Sequence, residues 1–92
     1  MEVVKKSRLL DLIAKRDSVL GSSINYDEVY SWLEELHYLL SSLKSHTKIV
    51  RDILSTIDSI RFHGFRFRER ISQLKGELGV FERYESENIE FK

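Results

Sequence analysis

The sequence predicts an all-α protein: a small helical bundle or helical hairpin of about three helices, with coiled-coil-like packing. Three observations predict it. There is no proline and there are only four glycines in 92 residues. Leu, Ile, Glu, Lys and Arg are abundant, and these are good helix formers. From Val29 to Phe81, apolar residues recur at alternating three- and four-residue steps, which is the spacing of a helix stripe and not of a strand.

The first helix is expected from about Val4 or Ser7 to Leu20. Leu9, Leu12, Ile13, Val19 and Leu20 supply its apolar face. Gly21 follows the last turn, where a left-handed residue would close the helix. Next, Ile24-Asn25-Tyr26-Asp27-Glu28-Val29 reads as a helix start. Asn25 can accept from a backbone N–H in the first turn, and Glu28 stands where a capping box places an acidic partner. Ile24 and Val29 fit a hydrophobic staple, and Asp27 adds negative charge at the positive helix end.

A seven-residue repeat runs on from there. With Val29 at position a, the a and d residues are Val29, Trp32, Leu36, Leu39, Leu43, His46, Val50, Ile53, Ile57, Ile60, Gly64, Phe67, Ile71, Leu74, Leu78 and Phe81. Only His46 and Gly64 interrupt the seam. Leu33, Leu40 and Leu54 at e widen it, as for a helix packed against two neighbours. An unbroken helix from Tyr26 to Tyr84 would be ~90 Å long at 1.5 Å per residue. A globular bundle must therefore fold back at Gly64, with the polar stretch Ser45-His46-Thr47 as a second candidate break. The expected arrangement is a long second helix from Tyr26 to Phe62 and a third from Phe65 to Tyr84. Residues 1–84 form one helical domain, and Glu85–Lys92 is an acidic, frayed tail. One rival reading concerns 60–68, where apolar and basic residues alternate around His63-Gly64, the pattern of a β-hairpin.

Composition removes several function classes. There is no cysteine, so disulfides and thiolate metal sites are excluded. Fifteen basic residues balance fifteen acidic ones, which argues against a nucleic-acid coat or a membrane-surface peptide. No apolar run is long enough to span a bilayer. The amino terminus lacks the uninterrupted apolar stretch of a leader, and the chain reads as intracellular, cytoplasmic.

Charge is nonetheless unevenly spread. Residues 17–60 carry three basic and seven acidic side chains, whereas 61–70 carry four arginines against Glu69. In that segment Arg61, Phe62, Phe65, Arg66, Arg68 and Arg70 interleave planar cations with aromatic rings. Such a patch suits phosphates and unpaired bases, and it suits protein docking equally. The alternative is structural: Phe67 in the core, and arginines paired with Asp52, Asp58, Glu77 or Glu82. Glu34 and His37 have the Glu-x-x-His spacing of di-iron bundles, but they fall outside the seam and lack the second pair. His46, on the seam, is either a helix-break residue or a polar residue that sets oligomer register.

No catalytic set emerges: there is no strained nucleophile elbow and no phosphate-cradling glycine loop. The expectation is a non-enzymatic helical module, an accessory or adaptor subunit that self-associates or docks on a larger protein. Its contact seam would be Leu33, Leu36, Leu40, Leu43, Val50, Ile53, Leu54 and Ile57. The alternative is a nucleic-acid-binding protein, or a subunit of a DNA or RNA machine, using the 61–70 patch. Neither reading involves a cofactor, a metal, a membrane or a small-molecule substrate.

Overall fold

Asn25 sets the first fixed point of the fold. Its backbone is extended (φ −99°, ψ 110°), and its side-chain oxygen accepts the Glu28 backbone N–H at 3.2 Å. This satisfies one of the donors that a helix start leaves unpaired. The computed structural model describes residues 2–21, 23–63 and 66–92, without the side chains of Glu2 and His63. Among the described residues there are five α-helices: α1 (Glu2–Ala14), α2 (Arg16–Val19), α3 (Tyr26–Ser41), α4 (Lys48–His63) and α5 (Phe67–Tyr84). A short 3-10 turn, Ser86–Asn88, follows. The all-α class holds, with more helices than the three expected.

The extra breaks have local causes. The first helix is interrupted at Lys15 because side chains take the carbonyls that would continue it. The Trp32 indole Nε1–H donates to the Leu12 carbonyl at 2.9 Å, and Arg16 Nη1 donates to the Ile13 carbonyl at 2.9 Å. A buried indole N–H needs a partner, and the end of α1 supplies it. Gly21 was expected to be left-handed and is not. It matters sterically instead, since a Cβ there would meet the Asp17 carbonyl oxygen at 3.0 Å. Among the described residues the left-handed one is Arg66, at φ 57° and ψ 43°, immediately before α5.

The long second helix is two helices. α3 ends at Ser41, where the Ser42 hydroxyl donates to the Tyr38 carbonyl at 2.9 Å. Serine competes in this way for backbone groups and so favours helix ends. His46 lies in the connection, exposed, with Nε2 3.2 Å from the Ser41 carbonyl. It is a break residue and sets no buried register. The β-hairpin reading of 60–68 is also corrected: α4 continues helical to His63, and α5 begins at Phe67. Gly64, the expected break, lies outside the described residues. The longest extent of the chain is 32 Å, so the seam is folded back and not extended.

α4 packs on both α3 and α5, and α1 lies across α3 and α5. Of the a and d residues from Val29 to Phe81, the described ones are all buried except His46 and the partly buried Phe67. Leu9, Leu12, Ile13, Val19 and Leu20 close the remaining side. Thr56 is a buried polar residue between α4 and α5. Its hydroxyl donates to the Asp52 carbonyl at 3.0 Å and accepts from Gln73 Nε2 at 3.2 Å.

The tail is not frayed. Ile89 and Phe91 are buried, each 8% exposed. The Lys44 N–H donates to the Glu90 carbonyl at 2.8 Å and the Lys92 N–H to the Ser42 carbonyl at 3.0 Å, forming a single antiparallel bridge of Leu43 with Phe91. The α3–α4 connection thus finds partners for backbone groups that its own helices cannot use. Phe91→Ala should cost about 3 kcal/mol, read as a lower urea midpoint. No change would return the tail to a frayed segment.

α1 is tied to α3 by a bidentate pair. Arg8 Nε and Nη2 donate to the two oxygens of Glu35, the second at 2.7 Å. The hydrogen bond to Arg8 chiefly holds the Glu35 carboxyl below its ordinary value, helped by the charges of Arg8 and Lys15 and opposed by partial desolvation. The folded value lies below the unfolded one. The pair's contribution is therefore complete above the unfolded carboxylate value and is lost as pH falls through the folded one. Glu35→Gln should lower the melting temperature at neutral pH, and the difference should vanish in acid. An equal difference at every pH would show that the ion pair contributes nothing.

Candidate interaction surface

The residues expected to form a partner-binding seam form the core instead. Leu33, Leu36, Leu40, Leu43, Val50, Ile53 and Ile57 are buried within the chain, and Leu54 is half-buried and packs against them. The heptad pattern was read correctly as a packing seam, but its partner helices belong to the same chain. A surface for another molecule has to be sought among side chains that the core does not use.

The end of the molecule where α3 and α5 begin and α4 ends provides such side chains. Tyr26, in the first turn of α3, packs against Phe67, in the first turn of α5, with ring centroids 5.3 Å apart. Phe62, in the last turn of α4, is 69% exposed, and the Arg61 guanidinium lies 5.1 Å from its ring centroid. Tyr26 is 59% exposed. An exposed arginine over an aromatic ring is attracted to it by ~0.5–1 kcal/mol.

The four arginines of the patch divide by what holds them. Arg61 stacks on Phe62. Arg66 Nη1 lies 3.8 Å from Glu69, in an exposed pair. Arg70 Nη1 donates to Gln73 Oε1 at 3.3 Å, and Gln73 Nε2 bonds both Thr56 and Glu77. Arg70 is therefore turned toward the α4–α5 polar network and away from the exposed rings. Arg68 is exposed and has no hydrogen-bond or ion-pair partner among the described residues. Phe65 lies outside the described residues.

Three of the four acidic residues expected to neutralise the patch are engaged elsewhere, and the fourth, Glu77, accepts from Gln73 in the network that Arg70 faces. Asp52 pairs with Lys48 at 2.8 Å, Asp58 with His37 Nε2 at 3.2 Å, and Glu82 with Arg16 at 3.1 Å. His37 also sets its Nδ1 3.4 Å from the Ser41 hydroxyl, so it bridges α3 to α4, while Glu34 stands exposed. Among the described residues no three His, Asp or Glu side chains cluster where a metal ion could be held.

Sequence reasoning missed a groove beside the patch. It runs between the segment before α3 and the first turns of α5, over Leu20, Ile24, Tyr26, Phe67 and Ile71, with Arg68, Ser72 and Lys75 along one edge. Its volume is about 380 Å³. The apolar spacing of Leu20 and Ile24 was visible in the sequence, but their adjacency to α5 is a tertiary fact.

No family model matches the chain, and no curated protein or solved structure matches it. No helix among the described residues is long and apolar enough to cross a membrane. With the seam consumed internally, sedimentation equilibrium should return the monomer mass from low micromolar to high micromolar concentration. A stable dimer over that range would mean that the seam exchanges between chains.

Proposed function

We propose that the chain is a small, non-enzymatic helical module that docks on a larger protein. The contact surface in this reading is the arginine–aromatic end, with Tyr26, Arg61, Phe62, Arg66 and Arg68 as the principal residues. The observation that carries it is the backbone of Arg66. A left-handed conformation costs a residue with a Cβ ~1–2 kcal/mol, and such strain is typical of sites kept for a purpose other than stability. Here it stands immediately before α5, at the end of the molecule where Phe62 is exposed. Tyrosine and arginine are also the side chains that most often dominate protein interfaces.

A second reading has one specific observation in its favour. Arg61, Arg66 and Arg68 stand at the same end as the exposed Phe62 ring, as a phosphate-and-stacking surface requires. The neutral balance of the chain weighs against it, since affinity for nucleic acid comes largely from released counterions.

Two measurements separate these readings. The first places a photo-cross-linking residue at position 62 in cells of the source organism. One recurrent protein adduct is expected, lost in the double variant Arg66→Glu, Arg68→Glu. The second titrates a labelled single-stranded oligonucleotide at rising salt. Binding with a steep salt slope that the same double variant removes would replace the docking reading by the nucleic-acid one. Arg66→Gly supplies the internal control. Relief of the left-handed strain, less the added freedom of glycine in the unfolded chain, should raise stability by roughly 0.5 kcal/mol, while the adduct weakens. If Arg66→Gly lowers stability, the arginine is structural and the surface assignment fails.

A further inference from the structure

We propose that the groove occupied by residues 89–92 is a recognition site for an extended peptide segment of another protein, acidic and apolar by turns, and that the chain's own segment holds it closed. The site lies at the α3–α4 connection, so the inference goes beyond the docking reading and does not depend on it. The chemistry of the occupant is read from the segment already seated there. Ile89 is extended, at φ −76° and ψ 120°. Ile89 and Phe91 are buried, while Glu90 between them is exposed. An extended backbone alternates its side chains in this way.

The segment is held in the manner of an added strand. Leu43 and Phe91 form the antiparallel bridge, with the Lys44 N–H donating to the Glu90 carbonyl and the Lys92 N–H to the Ser42 carbonyl. Main-chain bonds of this kind accept any sequence, and the pockets for alternate side chains set the specificity. Two hollows adjoin the segment, of about 290 Å³ and about 460 Å³, and Ile89 and Glu90 line both. Leu43, Val50 and Phe81 line the first. The segment thus leaves room in its groove for larger side chains. The charges around it favour an acidic occupant. Lys44 pairs with Glu90 at 3.9 Å, Lys5 Nζ lies 5.8 Å from the Phe91 ring centroid, and Lys6 lines the second hollow. Apart from Glu90, the acidic residue lining these hollows is Glu85, which accepts from the Thr47 hydroxyl at 3.0 Å. Three lysines facing one engaged carboxylate complement an acidic segment and disfavour a basic one. A unit tied by two backbone bonds also opens locally more readily than packed helices do.

The test uses a fluorescein-labelled peptide copying residues 85–92, followed by fluorescence polarisation. It is titrated with the full chain and with the full-length double variant Ile89→Ser, Phe91→Ser, whose own segment cannot seat. Saturable binding to the variant is expected. The parent should bind at least about tenfold more weakly, because its own segment competes at an effective concentration in the millimolar range. A peptide with lysine in place of each glutamate should bind the variant about tenfold more weakly, the equivalent of ~1.4 kcal/mol, and one with serine in place of isoleucine and phenylalanine should not bind. The inference is overturned if a variant that is folded by circular dichroism fails to bind, if parent and variant bind equally, or if the serine peptide binds as well as the original. Should the variant not fold, amide hydrogen exchange on the parent decides. The Lys44 amide should be protected at least about 100-fold less than that of Leu40. Equal protection would mean that the groove opens only when the whole chain unfolds, and the inference falls. A parent dimer that the double variant abolishes would overturn it too, since the occupant would then be a second copy of the chain.

Discussion

The apolar seam from Val29 to Phe81 has to be covered within one short chain, and the other features of the fold follow from that requirement. Leaving a large apolar side chain in water forfeits about 1.5–3 kcal/mol relative to burying it. A seam of this length on an extended helix would exceed the marginal stability of a small domain many times over. The chain folds it back on itself at 42–47 and again before α5, so that α4 is covered by α3 on one side and α5 on the other. α1 then lies across α3 and α5, and the Trp32 indole fixes its end by taking the Leu12 carbonyl. That bond ends α1 early and creates the separate turn α2.

Folding back creates a debt of its own. The connection 42–47 leaves backbone groups that neither α3 nor α4 can pair. The tail meets part of this need through Glu90 and Lys92, and at the same point buries Ile89 and Phe91 against Leu43. The covering of the seam and the pairing of the loop are thus one event. The tail's exposed charges, Glu87 and Glu90, face outward while its two apolar residues face inward. Residues 85–92 read as frayed in the sequence because the segment is too short to show a period. Its partner also lies almost fifty residues away at Leu43, and pairing at that separation leaves no mark in local composition.

Where sequence reasoning succeeded, the information was local or periodic. The Asn25 start is a matter of neighbouring residues, and burial along the seam follows from spacing alone. The heptad phase resumes after the break at 42–47, because Leu43 before it and Val50 after it are both buried, while His46 at the intervening d position turns out. Where it failed, the deciding partner was distant. Nothing near Lys15 announces that Trp32 will interrupt a helix there. Gly21 looked like the residue that takes a left-handed backbone, because glycine does so at no cost, yet that conformation falls to Arg66. The arginine-rich segment was legible as a patch. What the sequence could not sort was which arginines are already occupied, since Gln73 and Glu69 are reached only once α5 has formed.

The same requirement bears on where recognition can occur. A seam that supplies the whole core cannot also be offered to a partner without unfolding, so exposed aromatic surface elsewhere has to be explained separately. Phe62 follows Ile60 by two positions, a step that rotates it away from the core stripe, and the chain leaves it in water. Ile60 at the same helix end is fully buried, so the exposure of Phe62 is a property of its helical phase and not of fraying. Tyr26 is held in a comparable state by its packing on Phe67. Each of these rings gives up burial that a different residue order would have gained. Arg66 adds backbone strain at the same end, and Arg68 adds a cation without a partner among the described residues. Individually each is an ordinary surface defect. They meet at the end where α3 and α5 begin, whereas Arg8, Arg16, Lys44 and Lys48 elsewhere find acidic partners.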